Sequence, residues 1–158
     1  MSIRALSCRA LFLVLALVAA KPASAISIVE PLAFGTWRDS PDMNTLGAGA
    51  AIGIASIDVV PTFEYDAWED HGQVWAVNVD AHFPILALPV VAFYIGGGVT
   101  TFVSDPDGGE ADTDTGISAL IGSKASVGRL KPFGELKWTT AGPSDFVATL
   151  GLRFHLFD

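Results

Sequence analysis

Hydrophobic and polar residues alternate with a period of two along most of the chain. In residues 44–55, for example, Leu46 and Ile52 fall on one face, whereas Gly47 and Gly49 fall on the other. This is the period of a β-strand, in which successive side chains point to opposite faces of the sheet. The pattern predicts eight strands, at residues 26–37, 44–55, 57–65, 73–83, 91–102, 115–127, 131–139 and 146–157.

The first of these strands departs from a clean alternation. Glu30 shares a face with Ile28, Leu32 and Phe34, and Pro31 has no N–H to donate to a neighbouring strand. A bulge or a short edge strand accounts for both features, and the facing of this strand stays open.

The segments between the strands alternate in character. Four are polar and carry Gly, Asp or Pro, at residues 38–44, 66–72, 103–114 and 140–145, whereas three are shorter or less polar, at residues 56, 84–89 and 128–130. Long outer loops alternating with short periplasmic turns are typical of an up-and-down membrane barrel. Strands of about 9–12 residues are long enough to cross a bilayer when tilted. An even strand count places both ends of the barrel in the periplasm.

The composition of the face opposite the apolar one distinguishes a membrane barrel from a soluble, lipocalin-like barrel. In water that face would be rich in Lys, Glu and Asp, but here it is mostly Gly, Ala, Ser and Thr with isolated charges. Small residues suit the crowded interior of an eight-stranded barrel, and buried charges of mixed sign can pair there. The predicted interior polar network is Asp58, Glu64, Asp80, His82, Lys124, Glu135, Lys137, Arg153 and His155. The predicted lipid face includes Leu46, Ile52, Val77, Ile95, Ile121, Leu150, Leu152 and Phe154.

The sequence therefore predicts an all-β fold, an eight-stranded antiparallel up-and-down transmembrane β-barrel. Aromatic residues support this, because Trp and Tyr are enriched where a membrane protein meets the two bilayer interfaces. A belt at the loop ends of the strands would contain Trp37, Tyr65, Trp75, Phe102, Trp138 and Phe146. Phe83, Phe154 and Phe157 lie near the opposite ends.

Residues 1–25 have the pattern of a secretory signal peptide. Arg4 and Arg9 precede the apolar run 10–20, and Ala23-Ser24-Ala25 is a small-x-small cleavage site. The barrel would then occupy residues 26–158. Cys8, the one cysteine, lies in the leader, which excludes a disulfide scaffold, a thiol catalyst and a cysteine-based metal site in the exported chain.

The chain resembles small outer-membrane β-barrel proteins of the OmpA transmembrane-domain, OmpX and OmpW kind, often called porin-family proteins. The resemblance rests on the leader, the eight alternating strands and three segments, YIGGGV at 94–99, KPFGELKW at 131–138 and LGLRFHLF at 150–157. It implies a location in the outer membrane of a Gram-negative cell envelope after export. It also implies assembly by the barrel insertion machinery, contact with outer-membrane lipid and lipopolysaccharide, and a monomeric state.

Charge sets limits on partners. Without the leader the chain has six basic and 17 acidic residues, which gives a net charge of about −11. A chain this acidic repels nucleic acid, which is therefore excluded as a partner. The four long loops hold one base, Arg38, and eleven acids, which are Asp39, Asp42, Asp66, Glu69, Asp70, Asp105, Asp107, Glu110, Asp112, Asp114 and Asp145.

One acidic segment is a weak candidate for a divalent cation. Asp105, Asp107, Glu110, Asp112 and Asp114 offer hard oxygen ligands, although their spacing is not that of an EF-hand. The alternatives are a solvated loop, or a weak site that bridges to lipopolysaccharide phosphates. His71 lies in a loop, and the two predicted interior histidines have no third metal ligand implied by spacing. We expect no cofactor.

Three functional classes stay open. A structural or surface-interaction barrel with a polar, filled interior and acidic extracellular loops is expected first. A narrow barrel for small solutes or ligands is the second class, and a soluble periplasmic lipocalin-like binder is a separate alternative to the membrane barrel. A lipid-modifying enzyme is the third and is not expected, because His71, the histidine near the outer surface, has no neighbouring serine.

Overall fold

The computed structural model describes residues 26–39, 42–66, 73–105, 110–142 and 146–156. The predicted signal peptide lies outside the described residues. The chain forms eight strands, β1 (Ile26–Asp39), β2 (Asp42–Ile54), β3 (Ile57–Asp66), β4 (Gln73–Ala87), β5 (Val91–Asp105), β6 (Asp112–Ala125), β7 (Leu130–Thr139) and β8 (Phe146–Phe154). No helix among these residues is long and apolar enough to cross a membrane.

The strands form one closed antiparallel barrel. Each strand pairs with its neighbours in the chain, and β1 closes the ring by pairing with β8, where Leu32 lies opposite Arg153. The predicted all-β, eight-stranded, up-and-down architecture is confirmed. We call the end with the β2–β3, β4–β5 and β6–β7 connections the turn end, and the opposite end the loop end.

The two faces of the barrel reverse the usual distribution of polarity. Large apolar side chains are exposed on the outside, with Leu46, Ile117 and Leu136 each more than 60% exposed. Of the predicted lipid face, Leu46, Ile95, Ile121, Leu150, Leu152 and Phe154 are exposed, and Ile52 and Val77 are half-buried. Arg153 is fully buried, at 0% exposure. Alternation in a closed sheet of eight strands produces this arrangement directly, because the even and odd positions of a strand lie on opposite sides of the wall.

The first strand, whose facing the sequence left open, turns Glu30, Leu32 and Phe34 into the barrel, where all three are buried. A register shift against β2 lies between Ile26 and Ile28, and from Ile28 to Asp39 the pairing is continuous. The inward face of β1 therefore combines Glu30 with Leu32 and Phe34, and the Glu30 carboxylate pairs with Lys131.

Several predicted strand ends were wrong. Segment 103–114 was predicted to be a loop, but β5 continues to Asp105 and β6 begins at Asp112, with Ser104 opposite Asp112. The Thr101 and Thr115 hydroxyls are 3.1 Å apart across this hairpin, so Thr and Val residues extend the pairing despite the acids. Strand β4 likewise passes the predicted turn at Pro84, with a register shift between Pro84 and Leu86.

Candidate functional site: the charged interior

Ten charged side chains of the described residues form ion pairs inside the barrel. Five are carboxylates and five are bases, so their formal charges cancel. They are Glu30, Asp58, Glu64, Asp80 and Glu135 with Arg38, Lys124, Lys131, Lys137 and Arg153. Buried charges are stable only when paired in this way, which explains why the two signs occur in equal number.

Glu64 is the common acceptor of the network at the loop end. Arg38 donates from NH2 to Glu64 Oε2 at 2.7 Å, and the Thr45 hydroxyl donates to the same oxygen at 3.1 Å. Asn78 Nδ2 donates to Glu64 Oε1 at 2.8 Å, and Thr100 donates to Asn78 Oδ1 at 2.7 Å. Both carboxylate oxygens are therefore occupied, mostly by neutral donors. We call Glu64, Arg38, Thr36, Thr45, Asn78 and Thr100 the loop-end cluster.

An aromatic ring lies beside this cluster. The Arg38 guanidinium is 5.6 Å from the centroid of the Phe102 ring, which is 6% exposed. The prediction that Phe102 belongs to the outer aromatic belt was wrong. Phe102 has the same parity as Tyr94 and Thr100 on β5, so its side chain points inward with theirs.

Midway along the barrel, Asp80 joins two strands across the interior. Lys137 donates to Asp80 Oδ2, and the Ser118 hydroxyl donates to Asp80 Oδ1 at 2.8 Å. A Cβ at position 98 would lie 2.5 Å from Asp80 Oδ1, so this carboxylate needs the glycine opposite it on β5.

Arg153 is the centre of a larger network at the turn end. Its NH1 donates to Asp58 Oδ2 at 3.2 Å, and Lys124 donates to the same oxygen at 3.0 Å. Arg153 NH2 lies 3.6 Å from Glu135 Oε1, which also accepts a 2.6 Å hydrogen bond from the Tyr94 hydroxyl. Two carboxylates thus share two cations. We call Asp58, Lys124, Arg153, Glu135, Tyr94 and His82 the turn-end network.

His82 completes the turn-end network through its ring. The ring stacks on Tyr94 with the centroids 4.7 Å apart and the planes 13° apart. Arg153 NH2 lies 3.1 Å from His82 Nδ1 and can only donate, so Nδ1 accepts and the proton of a neutral imidazole is on Nε2. Tyr94 in turn packs on a glycine, since a Cβ at position 122 would lie 2.5 Å from its Cζ.

A third group lies where β1, β7 and β8 meet. Lys131 donates to Glu30 Oε1, and His155 Nδ1 lies 2.9 Å from the same oxygen. Arg38 was expected in a loop and Lys131 was not assigned to the interior network, but both point into the barrel. The alternation of the strands indicates the inward position of each residue. Lys131 has the same parity as Glu135 and Lys137 on β7, and Arg38 has the parity of the inward-facing residues of β1.

The structure places all nine residues of the predicted network on the inner side, but not all in the expected pairs. Glu64 contacts none of the predicted cations and pairs with Arg38 instead. His155 contacts Glu30, a residue whose facing was open. The charged interior residues that the predicted network omitted are Arg38, Glu30 and Lys131.

The other predicted sites lie at the surface. Trp37, Tyr65, Trp138 and Phe146 are exposed on the outside, and Trp75 is half-buried with its ring 6.2 Å from that of Phe63. Of the candidate cation ligands, Asp105, Glu110, Asp112 and Asp114 are exposed, and Asp107 lies outside the described residues. Asp114 accepts from the Gly142 N–H at 2.9 Å. No three His, Cys, Asp or Glu residues of the described part gather as a metal site would require.

Solved structures share this fold. The N-terminal β-barrel domain of Pseudomonas aeruginosa OprF matches with a TM-score of 0.67 and 16% identity over 80% of this chain and 95% of that one. Neisserial surface protein A matches with a TM-score of 0.54 and 11% identity over 81% and 94%. Ail, the attachment invasion locus protein of Yersinia pestis, solved with the heparin analogue sucrose octasulfate, gives 0.50 and 12% over 79% and 92%.

These three structures are eight-stranded outer-membrane β-barrels, and the chain has their fold. No protein-family model matches the sequence, and neither does any curated protein. At these identities the likeness extends to the fold alone.

Proposed function

We propose that the chain is an integral outer-membrane β-barrel with a structural or surface-interaction role. The observation that carries the proposal is the reversed polarity of a closed barrel. Large apolar side chains cover the outside, while ten charged side chains pair inside. In water this outer surface would be an aggregation hazard, whereas lipid solvates it.

The interior supports a structural role over solute transport. The rings of Phe34, Phe102, Phe133 and Tyr94 are buried in the barrel together with the ion pairs. An eight-stranded barrel has room for little more than such side chains. The proposal includes no cofactor and no enzymatic role.

The acidic loop end is the proposed surface for interaction. Because Arg38 pairs with Glu64 inside the barrel, it does not offset the eleven acids of the loops. Such a surface would meet lipopolysaccharide phosphates through divalent cations, or a basic partner. Outer-membrane lipid, the insertion machinery and a monomeric state belong to the same proposal.

A charge placed in the middle of the apolar band tests the membrane location. Leu150 is 60% exposed at the centre of β8, between Phe146 and Phe154. Leu150→Arg should lower the free energy of unfolding from bilayers by about 2–4 kcal/mol, whereas Thr115→Arg, on an exposed position near the loop end, should cost about 0–1 kcal/mol. Urea unfolding from lipid vesicles measures both.

Cell fractionation and gel mobility complete this test. The wild-type protein should stay with the outer membrane and show a different mobility in SDS before and after boiling. A protein that purifies without detergent, and in which Leu150→Arg costs no more than Thr115→Arg, would overturn the proposal in favour of a soluble binder.

A further inference from the structure

Two cavities lie in the turn-end half of the barrel, and His82 lines both of them. The outer cavity, of about 60 Å³, is bounded by the exposed turn residue Ser56 and by Asp58, Ala92 and Lys124. The inner cavity, of about 20 Å³, extends from Glu135 and Thr149 towards Glu64. These volumes hold a few water molecules and about one, respectively.

The ring of His82 is held between the two cavities by contacts on both its face and its edge. Tyr94 stacks on the face at 4.7 Å, and Arg153 donates to Nδ1 at 3.1 Å. Tyr94 is itself fixed by its 2.6 Å hydrogen bond to Glu135. A ring restrained in this way is a fixed wall and not a freely rotating side chain.

A buried polar atom beside the cavities calls for water. His82 lines both cavities, and its Nε2 has no hydrogen-bond partner among the described residues although the residue is only 2% exposed. A buried N–H without any partner costs about 1–3 kcal/mol, so a water molecule in a polar cavity is its natural acceptor. Both cavities are polar enough to hold one, since they are lined by carboxylates and lysines.

The two ends of the barrel differ in their access to solvent. At the turn end the side chains of Asp58 and Lys124 are 28% and 25% exposed. At the loop end, Arg38, Thr36, Thr45 and Thr100 are all buried, and the Phe102 ring lies against the guanidinium. Solvent therefore reaches into the interior from the turn end.

We propose that the turn end is a hydrated vestibule and that the ring of His82 separates it from the inner cavity. Water and cations of similar size would enter from the turn end as far as His82 and stop there. The inner cavity lies between His82 and Glu64 of the loop-end cluster. This inference concerns the barrel interior and holds whether or not the proposed surface role is correct.

Thiol accessibility can test this inference, because a Cys8→Ser background offers no other cysteine. Ala92→Cys places a thiol in the outer cavity, and Thr149→Cys places one in the inner cavity. The probe is the silver ion, and the protein is the full chain refolded in detergent. Folding of each variant is checked by the mobility shift on boiling.

We expect Ala92→Cys to react more than about tenfold faster than Thr149→Cys while His82 is present. Adding His82→Ala should raise the Thr149→Cys rate by a similar factor. His82→Phe is the matched control, because it keeps a ring on Tyr94 without the imidazole nitrogens, and Thr149→Cys should stay protected in it.

Either of two results would overturn the inference. Thr149→Cys reacting as fast as Ala92→Cys with His82 intact would show that the inner cavity is open. Protection of Thr149→Cys that persists in a folded His82→Ala variant would show that another side chain forms the wall. If His82→Ala does not fold, His82→Ser makes the same opening with a smaller polar loss, and the comparison of the two thiols in wild-type His82 still decides the first point.

Discussion

The loop-end cluster and the turn-end network neutralise buried charge in different ways. In the loop-end cluster a single carboxylate, Glu64, accepts from one cation and several neutral groups. In the turn-end network Arg153 contacts two carboxylates, Asp58 and Glu135, and Asp58 contacts two cations. Among the described residues the first arrangement has no second carboxylate for Arg38, whereas in the second Asp58 and Arg153 each have two partners of opposite charge.

This difference suggests that the stability of the barrel depends unequally on its two ends. A buried ion pair contributes little by itself, but removing one partner leaves the other charge uncompensated. In the loop-end cluster any loss at Glu64 strands Arg38. In the turn-end network Arg153 keeps Asp58 when Glu135 is lost, and Asp58 keeps Arg153 when Lys124 is lost.

Glu64→Ala should have the largest effect. It removes the one counterion that Arg38 has among the described residues and the acceptor of Thr45 and Asn78, all of them buried. We expect a loss of about 3–5 kcal/mol in the free energy of unfolding. Urea unfolding in detergent, followed by tryptophan fluorescence, measures it.

A double variant shows whether the stranded charge causes that loss. Glu64→Ala combined with Arg38→Met removes both charges, so the loss should be smaller than for Glu64→Ala alone. Losses that simply add would mean that Arg38 does not depend on Glu64, and the contrast between the two ends would lose its basis.

Glu135→Ala should have an intermediate effect. The Tyr94 hydroxyl loses its 2.6 Å acceptor, but Arg153 keeps its contact with Asp58. We expect a loss of about 1–3 kcal/mol, the cost of a buried donor left without a partner. Tyr94→Phe in the same background should then cost little more, because the stranded donor is gone. A loss equal to that of Glu64→Ala would show that Asp58 does not compensate Arg153.

The sequence was sufficient to predict the fold and seven of the ten inward-facing charges. Alternation assigns a parity to each strand, and parity alone places Asp80, Lys137 and Arg153 on one side of a closed wall. The same rule could have placed Lys131 and Phe102 correctly. Phe102 was misassigned to the belt and Lys131 was left out of the network because both lie near strand ends.

The pairing inside the barrel could not be predicted, because it depends on the stagger of strands that are distant in the chain. Arg38 and Glu64 are on β1 and β3, and Arg153 and Asp58 are on β8 and β3. Hydrogen bonding fixes the register between each strand and its neighbour. Only closure of the barrel determines which side chains of non-adjacent strands lie at the same height in the interior.

Lys124→Met should have the smallest effect and is the strictest test of compensation at the turn end. Its ion pair with Asp58 is partly exposed, and Arg153 remains 3.2 Å from the same oxygen. The methionine stem replaces the apolar part of the lysine, so the change removes little beyond the charge. We expect a loss of about 0–1 kcal/mol, decreasing further as salt is raised, because water screens a partly exposed pair. The same urea titration at low and high salt measures it. A loss comparable to that of Glu64→Ala would mean that Asp58 needs both cations, and the two ends of the barrel would then follow the same rule.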